Sequence, residues 1–212
     1  MKKVKMKKIT LLACLIVSPI LHAKEWAFDV YLDKSKIGTH TFTFNDNTLV
    51  SKAKFNVKVL FIEAYKYDHS AKEQWKDDCL TSLDAHTVEN KITTDVKGDS
   101  SSGTFNLVPA RASQKFPNCV MTFAYWNPKI LEQTKLLNPQ NAEYLDAKFE
   151  SLGSDNIMVK GKATDTSHYK LKGALAGKNK LNIELWYANN NKDWVALKSV
   201  TPEGYNIIYK LK

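Results

Sequence analysis

From Trp26 onward the chain alternates apolar and polar residues with a period of two, the pattern of strands half buried in a sheet. Trp26, Phe28, Val30 and Leu32 share one face of a first strand, and Asp33-Lys34-Ser35-Lys36 turns the chain. Gly38, His40, Phe42 and Phe44 share a face of a second, with Thr39, Thr41 and Thr43 opposite; Asn45-Asp46-Asn47 is a turn signal. In the third, Ser51, Ala53, Phe55, Val57, Val59 and Phe61 point inward and the intervening lysines outward, until Leu60 and Ile62 break the alternation. Further strands are expected over 81–88, 91–97, 104–108, 143–152, 156–163, 167–173, 180–188, 194–201 and 205–211. Their connections are a polar loop tip over 97–103 and turns at Gly153-Ser154-Asp155-Asn156, Ala176-Gly177-Lys178, Asn189-Asn190-Asn191 and Pro202-Glu203-Gly204. One short helix is expected from Asn127-Pro128, an N-cap and first-turn proline, with Ile130, Leu131, Leu136 and Leu137 on its buried side and Asn138-Pro139 ending it. The expectation is an all-β protein with minor α. Consecutive hairpins make an antiparallel sheet, and about ten or more strands must curl. A single strongly curved sheet or open barrel follows, with the helix over its concave side.

The fourth strand, Tyr65 to Trp75, changes this picture. Its inward face collects Tyr65, Tyr67, His69, Ala71, Glu73 and Trp75. An ionisable group on an aromatic inner face is paired or functional, because leaving it unpaired is costly. His69 and Glu73 are four residues apart on a strand, roughly 13 Å, and acid–base partners need about 3 Å. They make no dyad with each other. His40, on an inward row with Phe42 and Phe44, is the best third member. Together the three read as a base and its orienter, as metal ligands, or as a hydrogen-bonded network that fixes strand register. The network is the favoured reading, and with no short-spaced ligand pair no metal is expected. Gly98-Asp99-Ser100 is not a hydrolase elbow, since no helix follows it.

Met1 to Lys8 carries five lysines, and an apolar run from Ile9 to Leu21 leads to Leu21-His22-Ala23. This reads as a signal peptide cut after Ala23, leaving 24–212 as one β-rich domain of 189 residues with no transmembrane anchor. A retained anchor and a lipobox ending at Cys14 are the alternatives. Cleavage removes five lysines and takes the formal net charge from +9 to +4. The remaining lysines are spread along strand faces, so nucleic acid is not the expected partner. Arg111 is the single arginine and the one planar anion binder. Of three cysteines, Cys79 and Cys119 survive cleavage. In an exported protein they are expected to pair, two free thiols being the alternative. A bridge would bring Trp75 toward the aromatic run Phe123-Ala124-Tyr125-Trp126 just after Cys119.

Several stretches together resemble a family of uncharacterised secreted bacterial β-rich proteins: Gly38-x-His40-x-Phe42, the Tyr65 to Trp75 strand, Cys79-Leu80, Cys119 with Phe123 to Pro128, Leu136 to Gln140, Leu185-Trp186-Tyr187 and Trp194 to Leu197. The resemblance covers nearly the whole mature chain and implies no particular activity. At the level of fold, the β pattern is similar to the curved sheets of periplasmic lipoprotein carriers, which implies an apolar cavity. The expected function is a periplasmic or secreted binding protein for a small apolar or amphipathic ligand, a lipid included, without cofactor. Tyr65, Tyr67, Trp75, Tyr125 and Trp126 would contact it, and His40, His69 and Glu73 would orient its polar end. The alternatives are a hydrolase or isomerase built on the His/Glu cluster, and an envelope-assembly module acting through a protein partner.

Overall fold

The computed structural model describes residues 23–59, 62–101, 103–108 and 116–212. The leader with Cys14, the Leu60 and Phe61 positions and Arg111 lie outside these residues.

The described residues form one 13-stranded sheet, antiparallel throughout: β1 (Lys24–Leu32), β2 (Ser35–Asn45), β3 (Thr48–Val59), β4 (Ile62–Lys76), β5 (Cys79–Glu89), β6 (Ile92–Ser101), β7 (Thr104–Val108), β8 (Lys135–Leu137), β9 (Tyr144–Val159), β10 (Lys162–Leu175), β11 (Lys178–Ala188), β12 (Trp194–Val200) and β13 (Asn206–Leu211). Each strand from β1 to β7 pairs with the next, as does each from β8 to β13, and β13 pairs with β1. The edges are therefore β7 and β8, joined by the long 109–134 connection. Many hairpins close on two residues that both have positive φ: Asp46-Asn47, Asp77-Asp78, Asn90-Lys91, Lys160-Gly161 and Ala176-Gly177. Such turns match the right-handed twist of their strands. Gly38 is obligatory for a different reason, since a Cβ there would stand 1.9 Å from the Lys54 carbonyl oxygen of β3.

The curled sheet is an open barrel, and the connection between its edges packs against its inner side. Phe116, Val120, Met121, Ala124 and Ile130 join the core formed by Trp26, Phe28, Phe42, Trp75, Leu80, Leu83, Leu185 and Trp194. The backbone of this plug is tied to the wall. Leu80 N–H donates to the Val120 carbonyl (2.8 Å), Leu137 N–H to Met121 (2.9 Å) and Phe105 N–H to Pro117 (3.3 Å). The Tyr187 hydroxyl donates to the Tyr125 carbonyl (2.9 Å). Cys79 and Cys119 are disulfide-bonded, closing the wall onto the plug across a sequence separation of 40.

Three expectations need correction. The expected helix is one turn of 3-10 helix, Pro128–Glu132, capped by Asn127, whose side chain accepts from the Lys129 N–H (3.0 Å). The positions one turn beyond Ile130 and Leu131 are Thr134 and Lys135, so no apolar stripe continues; Leu136 and Leu137 are buried instead on β8. The expected loop tip at 97–103 is mostly strand, because β6 runs to Ser101. The expected turn at 153–156 is absent. Gly153, at φ 94, lies at a register shift opposite His168, and β9 continues to Val159 before Lys160-Gly161 turns it. Three expected strands are thus two long ones. Beyond the last β10–β11 pair, Thr166 with Ala188, β9 and β10 pair only with each other as a projecting ribbon.

Candidate functional site

His40 and His69 both face the interior in one cross-strand row, two strands apart: His40 lies opposite Ala53 of β3, and Ala53 opposite His69 of β4. They do not touch a common partner. His40 Nε2 is 2.8 Å from Ser51 Oγ and its Nδ1 3.2 Å from the Tyr209 hydroxyl, while its ring stacks on Phe42 (centroids 4.0 Å). His69 Nδ1 is 2.8 Å from Thr87 Oγ1 on β5. Loss of water around the rings holds both imidazoles neutral, His40 down to about 3, with His69 adding a smaller push, and His69 down to about 4. Tyr65 donates to Glu89 (3.0 Å), and Tyr67 stacks between Phe55 and His69. Burial raises both tyrosine hydroxyls well above their ordinary value. This part of the wall is a row of polar groups satisfied by hydroxyls and carboxylates of neighbouring strands.

Glu73 is buried further along β4, where Trp75 Nε1 donates to its Oε2 (3.0 Å) and the Thr122 hydroxyl of the plug also hydrogen-bonds it. Burial outweighs both bonds and pushes its carboxyl up to about 7. It touches neither histidine. Tyr125 packs on Trp194 (5.2 Å) and on Phe123, inside the plug.

A cavity of about 400 Å³ reaches Ala53 and His69 among the polar residues Thr39, Thr41, Lys52, Lys54, Asp68 and Ser70, and another, lined by aromatic rings, lies at one end of the barrel. Antiparallel order brings the start of β1, the end of β2 and the end of β4 to one end of the barrel, and the plug arrives there with Trp126. A cleft of about 450 Å³ opens among Lys24, Trp26, Phe44, Asn47, Trp75, Lys76, Asp77, Asp78, Trp126, Asn127 and Pro128. Trp126 lies edge-to-face on Trp75 (5.4 Å), 6.2 Å from Trp26 and 4.5 Å from Phe44. Asn127 donates to Asp78 (2.8 Å), which anchors the plug to the β4–β5 turn. Buried indole N–H groups normally find an acceptor. Of the five tryptophans, Trp75 donates to Glu73, Trp186 to Asp155 and Trp194 to the Ala196 carbonyl. Trp26 and Trp126, both lining the cleft, have buried Nε1 atoms with no acceptor among the described residues.

The structure therefore divides the eight expected contact residues. Trp75 and Trp126 line the cleft; Glu73 stands behind Trp75; His40, Tyr65, Tyr67 and His69 lie along the wall away from it; Tyr125 is in the plug. Sequence reasoning missed Trp26, Phe44 and the Asp77-Asp78 turn as cleft residues. Among the described residues there is no cluster of three His, Cys, Asp or Glu side chains that could hold a metal, and no helix long and apolar enough to cross a membrane.

Comparison with known families gives a match over residues 28–212 to a domain of unknown function, DUF6134. The chain belongs to this family. The DUF6134 match takes in the disulfide, the plug and every cleft residue except Lys24 and Trp26, which precede it. Among curated proteins none matches. Among solved structures, this DUF6134 chain is similar to a β-barrel-like protein of domain of unknown function DUF1849 from Brucella abortus. That likeness has a TM-score of 0.63 at 13% identity over 91% of this chain and 96% of the other. It is a likeness of fold alone.

Proposed function

We propose that this protein is a non-enzymatic binding protein, exported to the periplasm or beyond, that holds a small apolar or amphipathic ligand in the tryptophan cleft. The observation that carries this reading is the contrast among the indoles: three of five donate to acceptors within the protein, and the two rings whose buried Nε1 atoms have none among the described residues both line one cavity. A volume of about 450 Å³ is in the range of small-molecule sites, and a largely aromatic lining with a few polar groups is their usual chemistry. Export is supported by the leader-like first 23 residues and is compatible with the Cys79–Cys119 bridge. Native mass spectrometry of the protein isolated from its own host is the test, joined to tryptophan-fluorescence titration with a fluorescent lipid. The expected result is a bound small molecule and a saturable signal that Trp126→Ala abolishes. A bare protein mass together with no saturable signal overturns the reading.

A second reading, an envelope module that works through a protein partner, draws on the β9–β10 ribbon. Its residues from Leu152 to Ala163 are exposed or half-exposed, with Met158 at 69%. An isolated two-stranded ribbon is marginally stable alone, and a partner strand or surface would cover it.

A further inference from the structure

We infer that the cleft is a saccharide site: it takes an uncharged, polyhydroxylated ring, free or as the head of an amphipathic molecule. This rests on the cleft being the binding site proposed above. The polar groups around it decide the ligand class. The Trp26 and Trp126 N–H groups are buried within this lining and have no acceptor among the described residues; a ligand that parts the rings would supply one. Asp77 and Asp78 are carboxylate acceptors placed at the mouth by a two-residue turn in left-handed backbone, at φ 50 and 62. One Asp78 oxygen accepts from the Asn127 side chain. Donors and acceptors therefore converge on the same volume.

Charge separates the candidates. Lys24 is ion-paired with Asp193 and lies over the Trp26 ring (4.8 Å), so its charge is spoken for. Lys76 stands beside two acids. An anionic head, carboxylate or phosphate, would satisfy the indoles but meet Asp77 and Asp78. A cationic head would satisfy the acids but give the indole N–H groups nothing to donate to. Hydroxyl groups both donate and accept, and a set of them on one ring meets all of these groups without net charge. The apolar part of the cleft fits as well. Trp126 and Phe44 are both half-buried and pack at 4.5 Å with their planes 31° apart. The C–H face of a sugar ring stacks on such an aromatic surface, while its hydroxyls point outward at the edges.

The experiment compares heads at constant tail. The full chain is titrated, by calorimetry and tryptophan fluorescence below micellar concentrations, with octyl β-glucoside, octylphosphocholine and octanoate, and with maltotriose, lactose and diacetylchitobiose as free saccharides. The expected result is binding of octyl glucoside and at least one free saccharide, with octylphosphocholine and octanoate at least about tenfold weaker. Trp126→Phe, which keeps a ring and removes the donor, should weaken saccharide binding about fivefold, the scale of one net hydrogen bond. Because that donor has no partner among the described residues, the variant should unfold at the same denaturant midpoint or higher. Equal binding of the three octyl compounds with no free saccharide bound refutes the saccharide assignment and leaves the binding-protein reading standing. Unchanged saccharide affinity in Trp126→Phe refutes the role given to the indole. Silence from all six compounds refutes both readings.

Discussion

Two stretches of the inner wall combine aromatic rings with polar atoms, and they have opposite fates. In the row of His40 and His69, ring nitrogens meet hydroxyls of other strands: Ser51, Thr87 and Tyr209. At the cleft, two buried indole donors have no acceptor among the described residues. The first arrangement is what a core needs, since buried polar groups are tolerable when satisfied. The second costs stability, and under the proposed function an acceptor from the ligand would repay it. An ionisable side chain on an inner face is thus a poorer guide to a site than a donor without an acceptor, and the difference can be broken experimentally from either side.

The largest effect should come from the link that makes the cleft. The Cys79–Cys119 bridge begins one residue after Asp78 and ties the plug, with Trp126, to the end of β4. In the chain-entropy account a bridge closing a loop of this size is worth about 4 kcal/mol. Cys79→Ser with Cys119→Ser should lower the unfolding free energy by about that amount in a denaturant melt. It should also weaken ligand binding at the cleft more than it disturbs the far-UV signal of the sheet, because the strand ladders do not depend on it. Equal stability of the reduced and oxidised protein would show that the plug is held by packing alone.

Next in size is Glu73, a buried acid between the two regions. Its carboxyl is held up to about 7 in the fold against an ordinary 4.5. It is protonated in the folded chain and ionised in the unfolded chain between those values. Its stabilising share is therefore full below about 4.5 and gone once the pH has risen through about 7, a span of about 3 kcal/mol. His40 and His69 act in the opposite sense. Their folded values, about 3 and about 4, lie below the ordinary 6.5, so their share is full above 6.5 and is lost as the pH falls toward 4 and below. Between about 4.5 and 6.5 the two histidines outweigh the one carboxyl, so stability should rise with pH and level off near 7. Glu73→Gln keeps an acceptor for the Trp75 N–H and removes the opposing contribution, so the rise should become about twice as steep. Melts at a series of pH values check this, and an unchanged slope in Glu73→Gln would mean that Glu73 is ionised in the folded chain.

Much of the fold was legible and less of the site. Period-two alternation identified β1 to β4 because one face of each is covered and the other wet. It failed at the β9–β10 ribbon, where neither face is buried and no alternation marks the strand. There the eye falls on Gly153 and the polar residues after it, which act as a bulge rather than a turn. The expected helix fails because Ile130-Leu131 and Leu136-Leu137 do not form one stripe: Thr134 and Lys135 occupy the turn between them. Face assignment put His40, Ala53 and His69 on the inner side, but their alignment in one row is set by strand register, which alternation does not carry. Glu73 was legible as buried, but its partner Thr122 comes from the plug and was not. Trp75 and Trp126 were placed together through the expected disulfide. Trp26 and Phe44 were missed, although meander order alone puts the start of β1 and the ends of β2 and β4 at one end of the barrel. What no pattern in the chain contains is which indoles find acceptors, since those come from three unrelated places: Glu73, Asp155 and the Ala196 carbonyl.

A smaller effect sharpens the other half of the comparison. Ser51→Ala removes the hydroxyl 2.8 Å from His40 Nε2 and leaves that nitrogen without a protein partner. A cost of about 1–2 kcal/mol is expected for one unsatisfied buried polar atom. Calorimetric affinity at the cleft should be unchanged, because the row does not line it. Loss of ligand binding in Ser51→Ala would mean that the satisfied row is part of the site after all.

The smallest effect concerns the ribbon. Met158 is one of the most exposed apolar side chains among the described residues, and it faces Ala163 across a pair that touches no third strand. Nothing in the fold buries it, so Met158→Lys should change stability by less than about 0.5 kcal/mol, the ordinary range for an exposed position. Affinity at the cleft should not move either. The variant is informative because of this silence. If the ribbon docks on a partner in the cell envelope, a lysine in place of an exposed methionine removes apolar contact area and adds a charge that must be desolvated, and capture by cross-linking in the native host should fall while folding and cleft binding stay as they were. If cross-linked species are the same in both proteins, the ribbon is a solvated extension and the cleft remains the feature to pursue.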